Sequence, residues 1–218
     1  MKRAIFFLIF GIITIESYGQ LVRRKDYDAA FALQAGGGSG ILTTFHHPVL
    51  SLTPTAGLKM TFPFTRKWFL GSEINYEQLK YKVHKQVNTP WGNLQEKQKA
   101  TFDLKQVGIP VYLKYMLNCN KASLLFGIYG SYTFDAQFTT SFNEESDAGN
   151  DNMEDWNAGI VIGYEHRLAK HLNVMCRINA GVREVVRDYK LFGDKLFPVS
   201  ACLTLSYDIL RIGDCGCD

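Results

Sequence analysis

Beyond its first 15 residues, the sequence lacks any continuous apolar stretch long enough for a membrane-spanning helix, which needs about 20 apolar residues. The amino-terminal apolar run, residues 4–15, is too short for such a helix and follows the positive start Met1-Lys2-Arg3. Small residues follow at Ser17 and Gly19. This order predicts a signal peptide over residues 1–19, cut after Gly19. No cysteine stands at the cut, so a lipoprotein anchor is not expected.

The sequence also lacks a large charge excess and a metal-binding arrangement of cysteines. A formal net charge of +3 on 218 residues gives no indication of nucleic-acid binding. The five cysteines do not have zinc-finger spacing, and Cys176 and Cys202 fall inside predicted strands, where we interpret them as packing residues. No metal site and no cofactor are therefore predicted. An apolar fraction of 46% excludes disorder, and the length fits one domain.

What the sequence has instead is a repeated alternation of apolar and polar residues with a period of two, which is typical of β-strands. In the clearest example, residues 50–62, Leu58 and Met60 alternate with Lys59 and Thr61. The pattern predicts eight strands in all, over residues 28–38, 50–62, 68–77, 100–116, 124–135, 156–165, 172–183 and 197–209.

The two faces of these strands differ in a way that indicates their surroundings. One face is apolar and aromatic, and the other carries charges, hydroxyl groups and glycine. An apolar outside around a polar lumen is typical of a barrel in lipid. We therefore predict an all-β, eight-stranded antiparallel up-and-down transmembrane β-barrel over residues 20–212, with a tail over residues 213–218. A soluble barrel of the lipocalin type, with its polar face outward, is the alternative.

The connections between the strands alternate in length. Short links lie near residues 65–67, 117–122 and 169–171, and long ones cover residues 39–49, 82–99, 139–154 and 187–195. In outer-membrane barrels the short turns face the periplasm and the long loops face outside the cell. This alternation predicts the bacterial outer membrane as the location, with both termini in the periplasm.

Three segments carry a resemblance to a known family. Residues 108–115 read GIPVYLKY, residues 126–130 read FGIYG, and residues 158–165 read AGIVIGYE. In this order they resemble the PorT-like outer-membrane β-barrel family of Bacteroidota, and the resemblance covers most of the mature chain. It implies an outer-membrane location and a link to protein secretion, because the group takes its name from a factor needed to export proteins across that membrane. The chain departs from the usual barrel ending, since residues 213–218 follow the last strand in place of a terminal aromatic residue.

The charges on the polar face predict a filled lumen. An eight-stranded barrel is only wide enough inside for side chains, so no open channel is expected, and buried charges there must pair. Lys59 and Glu73 are expected to lie opposite one another and to pair, and Glu165 and Arg177 to be diagonal neighbours. The alternative to this salt-bridged plug is a proton or ion pathway. The predicted luminal charges are Lys59, Glu73, Glu165, Arg177 and Arg183.

Pro110 lies inside a predicted strand, where proline implies a bulge or a local break because it cannot donate a ladder hydrogen bond. The apolar residues also change parity there, from Phe102 and Leu104 to Val107 and Ile109. We therefore expect a one-residue slip near residues 106–108 that keeps both sets facing lipid.

The long connections hold the other candidate residues. One is acidic, and another is basic with Trp91 at its tip. The first could bridge divalent cations to lipopolysaccharide and the second could touch its phosphates or a partner, although solvated loops are the simpler interpretation. The candidates are Glu144, Glu145, Asp147, Asp151 and Trp91, with Lys82, Lys85, Lys97 and Lys99 as the basic group. The pair His46-His47 could bind a metal, although a solvated loop pair is the simpler interpretation. Residues 36–40, GGGSG, lack the lysine and the serine or threonine of a phosphate loop and are interpreted as a flexible strand end.

The sequence favours a structural or assembly role over an enzymatic one. No nucleophile, base and orienting group occur together at a recognisable spacing. Partners are expected to be outer-membrane lipid and lipopolysaccharide, with other secretion-machine proteins implied by the resemblance alone. A surface binding module or adhesin acting through the long loops is the alternative, and a lipid-modifying barrel enzyme is a weaker one. A disulfide from Cys119 to Cys215 or Cys217 is a further hypothesis, since all three are expected on the oxidising periplasmic side.

Overall fold

A computed structural model describes residues 29–42, 53–65, 67–88, 95–118, 121–140, 143–146, 154–183 and 197–212. Within these ranges no helix is long and apolar enough to cross a membrane. The described strands are β1 (Ala29–Leu42), β2 (Thr53–Pro63), β3 (Trp68–Asn88), β4 (Gln95–Asn118), β5 (Ala122–Thr140), β6 (Asn143–Ser146), β7 (Trp156–Ala169), β8 (Leu172–Gly181) and β9 (Pro198–Ile212).

The strands close into a barrel. Each long strand pairs antiparallel with its neighbours in the chain, β4 pairs with β5, and β1 pairs with β9 over its full length. Eight strands, β1–β5 and β7–β9, therefore form a closed ring, as predicted. The short strand β6 pairs with the carboxyl-terminal end of β5, from Phe138 to Thr140. This strand was not predicted. It lies inside the stretch predicted to be a long loop.

Two ends of the barrel can be distinguished by their connections. The end that we call the turn end carries the tight turns between β2 and β3 and between β7 and β8. At the first turn, the amides of Phe64 and Thr65 donate to the Trp68 carbonyl at 2.8 and 3.1 Å. Ala29 and Ile212 pair with one another at this same end. The opposite end, which carries the longer connections, is the loop end.

The alternation of the strands separates a polar interior from an apolar exterior. Along β2 the residues alternate between buried and more exposed positions from Thr53 to Pro63. Large apolar side chains face outward and are exposed, including Leu33, Leu58, Ile74, Phe126, Ile128, Ile160, Ile162, Leu203 and Leu205. Buried polar ones face the lumen, including Gln34, Lys59, Glu73, Asn75, Glu77, Gln106, Lys114, Glu165, Arg177, Thr204 and Ser206. This arrangement is the reverse of the one a soluble barrel requires.

Aromatic side chains border the apolar exterior at both ends. At the loop end, the rings of Tyr132 and Trp156 lie 4.9 Å apart. At the turn end, those of Trp68 and Tyr115 lie 4.8 Å apart. On β7 the outward aromatic residues Trp156 and Tyr164 are eight residues apart, which is about 26 Å along a strand. This is about 20 Å along the barrel axis when the strands are tilted by about 40° from it. The spacing fits the apolar band of an outer-membrane barrel, which is about 25 Å tall.

The strands β3 and β4 are longer than predicted. Their ladder continues from Tyr81↔Phe102 to Asn88↔Gln95, so most of the predicted loop over residues 82–99 is a hairpin. Beyond the lipid both faces of a strand meet water, and the alternation that reveals a strand in the sequence is lost. Hydrogen bonding between the two strands maintains the ladder there without that pattern.

The register slip expected on β4 lies on β5 instead. Lys105 pairs with Asp135 and Gln106 with Thr133, which leaves Phe134 as the extra residue. β4 keeps one parity throughout, so Leu104 is buried rather than facing lipid. It lies opposite Leu79, which is also buried. The apolar part of the lumen near the loop end therefore accounts for a leucine that the sequence had assigned to the outside.

Two buried tyrosines lie in the lumen over glycines of other strands. A Cβ added at Gly71 would lie 2.1 Å from the Tyr112 ring, and one added at Gly40 would lie 2.5 Å from the Tyr81 ring. Both tyrosines are buried. The glycine-rich residues 36–40 are consequently part of β1, paired along β9, and the prediction of a flexible strand end was wrong. At Gly40 and Gly71 only glycine fits, because the tyrosine rings occupy the space of a side chain.

The closed ladder predicts a heat-modifiable protein. Within the described ranges, each of the eight ring strands is paired on both sides, so none of them presents an unpaired edge that could open first. We expect the protein folded in detergent to migrate differently on gels before and after boiling. Recovery of the chain in a soluble periplasmic fraction, with no shift on boiling, would contradict the membrane barrel.

Candidate functional site in the barrel lumen

The centre of the lumen contains an ion cluster organised by Arg177 on β8. Its Nη1 contacts Oε2 of Glu73, and its Nη2 donates to Oε1 of Glu77 at 2.5 Å. Gln34 and Asn75 donate to the same Glu73 oxygen at 2.7 and 2.8 Å. All five side chains are buried, so the guanidinium neutralises two carboxylates that would otherwise be costly to desolvate.

Two further polar side chains complete this cluster. The Tyr112 hydroxyl donates to Oε1 of Glu73 at 2.7 Å, and Gln106 Nε2 donates to Oε2 of Glu77 at 3.0 Å. Both residues lie on β4 and face the lumen because even positions of that strand do so. The carboxylates thus accept from amides and a hydroxyl as well as from Arg177, which is what a buried charge requires.

A second cluster lies closer to the turn end and is organised by Glu165 on β7. Lys59 Nζ lies 2.5 Å from Oε2 of Glu165, and Lys114 Nζ lies 2.8 Å from Oε1. All three side chains are less than one-tenth exposed. The two clusters together contain three cations, Lys59, Lys114 and Arg177, and three anions, so their formal charge is zero. We call them together the luminal network.

The luminal network joins most of the predicted charges but pairs them differently. Lys59 and Glu73 are opposite one another in the ladder, as predicted, yet the predicted ion pair between them is wrong, because Lys59 reaches Glu165. Likewise, Arg177 is paired in register with Gly163, diagonal to Glu165, but its guanidinium reaches Glu73 and Glu77. In a narrow barrel, long side chains cross the lumen to partners on distant strands.

Arg183 does not belong to the lumen. β8 ends at Gly181, and the Arg183 side chain is 53% exposed, with Nη2 at 2.7 Å from Glu154 Oε2. Like Arg177, it has an odd number, and odd positions of β8 face the lumen. That alternation ends with the strand. The prediction that Arg183 is luminal was therefore wrong, and the residue lies at the rim of the loop end.

Glu77 and Lys114 were not among the predicted luminal charges. Glu77 follows Glu73 and Asn75 at the same parity on β3. Lys114 lies on β4, where the assumed slip hid the common parity of Gln106, Tyr112 and Lys114. Reading β4 with a single parity would have placed all three in the lumen.

Several predicted candidates lie outside the described residues. Trp91, Asp147 and Asp151 are among them, as are His46-His47 and the three cysteines of the disulfide hypothesis. The backbone of Glu144 and Glu145 belongs to β6. Of the cysteines in strands, Cys202 is buried in the lumen and Cys176 is exposed on the outer face. The described ranges contain no group of three or more histidine, cysteine or acidic side chains that could hold a metal ion.

A cavity of about 30 Å³ lies in the lumen between the Glu165 cluster and the turn end. Its polar lining includes Asp208, which accepts a hydrogen bond from Asn173 Nδ2 at 3.1 Å and pairs with Arg211 Nη2 at 3.3 Å. Arg167 lines it from the end of β7. The cavity has room for a water molecule or a small polar group.

The filled lumen predicts that the reconstituted protein gives no sizeable steady conductance. The buried tyrosines and the luminal network occupy the section where a water-filled path would have to run. Planar bilayer recordings on refolded protein check this, with a sham-refolded sample as the control. Stable open-channel currents seen only with the folded protein would contradict it.

The closed ring of eight tilted strands, with its apolar exterior and polar lumen, defines an outer-membrane β-barrel. Residues 32–187 match the model of the family described as outer membrane protein beta-barrel domain. The chain therefore belongs to that family. No significant match is found among curated proteins.

Solved structures with a similar shape are distant in sequence. Neisserial surface protein A is 8% identical, with 84% of this chain and 100% of that chain covered and a TM-score of 0.49. OprG from Pseudomonas aeruginosa is 14% identical, with 89% and 100% covered and a TM-score of 0.45. Ail, the attachment invasion locus protein of Yersinia pestis, is 10% identical, with 85% and 99% covered and a TM-score of 0.43. At these sequence identities and TM-scores, the similarity to these structures does not support any inference about function.

Proposed function

We propose that the chain is a non-enzymatic outer-membrane barrel with a structural or assembly role, and that it is one of the PorT-like barrels of Bacteroidota. The observation that carries the role is the filled, charge-neutral lumen, in which Arg177 and Glu165 each bind two oppositely charged side chains. A barrel whose interior is used for its own stability must act through its outer and end surfaces.

We place the turn end and both termini in the periplasm, with residues 1–19 as the signal peptide. The short turns and the pairing of Ala29 with Ile212 at one end support this orientation. The charged side chains on the outer surface near the loop end support contact with lipopolysaccharide. They form ion pairs between Lys105 and Asp135 at 2.6 Å and between Lys80 and Asp103 at 3.3 Å.

Partnership with a protein-export machine is the specific form of this proposal, and the resemblance of residues 108–115 and 158–165 supports it. The test is site-specific photo-crosslinking in intact cells, followed by mass spectrometry of the trapped proteins. The probe is placed at Lys80 near the loop end and at Lys121 at the turn end, with lipid-facing Ile128 as the matched control. Capture of export-machine proteins at Lys80 or Lys121, but not at Ile128, is expected. Capture of none would refute the export role and leave the barrel intact.

A surface binding module is the second candidate, and the long hairpin of β3 and β4 favours it. Its strands are 21 and 24 residues long, much longer than the lipid band requires, so the hairpin presents ordered backbone outside the membrane. Ligand-dependent protection of residues 82–99 from hydrogen exchange would favour this candidate. A lipid-modifying enzyme is the weaker alternative, and loss of an activity after one serine or histidine substitution would favour it.

A further inference from the structure

The three short connections at the turn end each carry an exposed lysine. Within the described ranges, no acidic side chain forms an ion pair with any of the three. The acidic side chains described near this end, Glu165 and Asp208, are both buried and are paired with other cations. The exposed lysines are Lys67 between β2 and β3, Lys121 between β4 and β5, and Lys170 between β7 and β8. We call them the rim lysines.

The backbone of each rim lysine is tied to a neighbouring part of the barrel. Its carbonyl accepts a hydrogen bond from the next strand around the ring, outside its own hairpin. The three bonds run from the Met116 amide to Lys67 at 2.8 Å, from the Arg167 amide to Lys121 at 2.7 Å, and from Arg211 Nη1 to Lys170 at 3.0 Å. The three turns are therefore held to the barrel wall, and the lysine side chains extend from fixed points of the rim.

An exposed apolar side chain lies within four residues of each rim lysine. Phe64 is 52% exposed, Leu117 is 44% exposed and Leu168 is 56% exposed. Trp68, which follows Lys67 directly, belongs to the aromatic border of the lipid-facing surface. At such a boundary an apolar side chain contacts acyl chains while a nearby lysine reaches up to the headgroups.

This combination identifies the chemistry of the partner. Exposed cations without an acidic neighbour attract an anionic surface, and the apolar side chains beside them require that this surface also has an apolar part. An anionic phospholipid has both, because its phosphate is attached to acyl chains. A soluble acidic protein would leave the three apolar side chains without a matching surface.

We propose that the rim lysines bind the headgroups of anionic phospholipids in the leaflet that surrounds the turn end. The ammonium group of each lysine meets the headgroup phosphate, and the acyl chains cover the apolar side chain on the same turn. One lysine near an anionic surface should favour such a lipid over a zwitterionic one by about fivefold. The proposal requires only that the barrel spans a bilayer, and it does not depend on the export role or on which side of the membrane the turn end faces.

Trp68 reports on the lipid at the turn end because it is exposed and adjoins Lys67. The test uses the full chain with Trp91→Phe and Trp156→Phe, which leaves Trp68 as the sole tryptophan. It is refolded into vesicles of phosphatidylcholine and phosphatidylglycerol in a fixed ratio. Either the phosphatidylglycerol or an equal amount of the phosphatidylcholine is brominated, so the surface charge is the same in both samples. Bromine quenches tryptophan fluorescence on contact, and we expect brominated phosphatidylglycerol to quench Trp68 more strongly.

The matched control places the sole tryptophan at the other end of the barrel. With Trp68→Phe and Trp91→Phe, the remaining Trp156 lies on the outer surface near the loop end, beside the ion pair of Arg183 with Glu154. Brominated phosphatidylglycerol and brominated phosphatidylcholine should quench it equally.

Substitutions of the lysines then assign the effect. Lys67→Gln should remove the preference for phosphatidylglycerol at Trp68, and Lys67→Arg should keep it because the charge is retained. Lys170→Gln should leave the preference at Trp68 unchanged, since the turn between β7 and β8 lies across the ring from the turn between β2 and β3.

The other two turns are tested by moving the reporter. In a chain whose native tryptophans are replaced by phenylalanine, Leu117→Trp reports on Lys121 and Leu168→Trp reports on Lys170. Lys121→Gln and Lys170→Gln should each remove the preference at the reporter on the same turn. The gel shift on boiling shows that each variant is folded. Salt tests any turn whose glutamine variant does not fold, because about 1 M salt reduces the Debye length to about 3 Å and should abolish the preference without a substitution.

Three results would overturn the proposal. One is equal quenching by the two brominated lipids at all three turn-end reporters. Another is the same preference for phosphatidylglycerol at Trp156 as at Trp68. The third is a preference at Trp68 that survives both Lys67→Gln and high salt.

Discussion

Replacing Arg177 by methionine should destabilise the barrel by about 3–5 kcal/mol, the cost of leaving a buried charge without its partner. Glu73 and Glu77, which are both almost fully buried, lose the guanidinium that each of them contacts in the central cluster. Equilibrium unfolding by urea from lipid vesicles measures the change as a shift in the transition midpoint. The triple variant with Glu73→Gln and Glu77→Gln should recover much of the loss, since it no longer buries unpaired charge.

Arg183→Met is the matched control for this experiment. It removes an arginine from an ion pair at the exposed rim, where the pair is worth about 0–1 kcal/mol. A loss of similar size in Arg177→Met and Arg183→Met would show that the central cluster does not stabilise the barrel through its charges.

Glu165→Gln should cause a loss of comparable size, because Lys59 and Lys114 both lose the carboxylate that they contact in the lumen. A double-mutant cycle makes the prediction specific. Lys59→Met and Glu165→Gln should be strongly non-additive, by about 0.5–3 kcal/mol, as expected for side chains in direct contact. The same urea unfolding measures the three variants.

The control cycle combines Lys59→Met with Glu73→Gln. These residues face one another in the ladder but form their ion pairs elsewhere, so their coupling should be the smaller of the two. Stronger coupling in the Lys59 and Glu73 cycle would mean that lysine pairs across the hairpin, and that the contact with Glu165 is not the one that matters in the membrane.

Alternation in the sequence correctly predicted four of the luminal charges, Lys59, Glu73, Glu165 and Arg177, but not which of them meet. The period-two pattern placed Lys59 and Glu73 inside, and the short turn at residues 64–67 set their register, which the structure confirms. Their partners depend on how the sheet closes. Closure of the barrel brings β7 and β8 across the lumen from β2 and β3, over 100 residues away in the chain. A local sequence pattern cannot predict contacts over so long a separation.

The pattern also failed where the surroundings of a strand change along its length. Leu104 reads as a lipid-facing residue, but the lumen near the loop end is itself apolar, so an inward leucine is stable there. Arg183 continues the parity of Arg177 past the end of β8. The prediction assumed that an apolar residue faces lipid and that an arginine on the polar face points into the lumen. Neither assumption holds for Leu104 or Arg183, because the surroundings of the strand change near the loop end.

The ion pairs of the luminal network all connect the first part of the chain to the last. Lys59, Glu73, Glu77 and Lys114 come from β2, β3 and β4, while Glu165 and Arg177 come from β7 and β8. Each set is neutral by itself, yet every pair crosses between them. A nascent barrel that has inserted only its first strands therefore has balanced charges but none of these bonds. Contacts so distant in sequence form late in folding, so this network stabilises only the completed barrel and gives no stability to a partly assembled one.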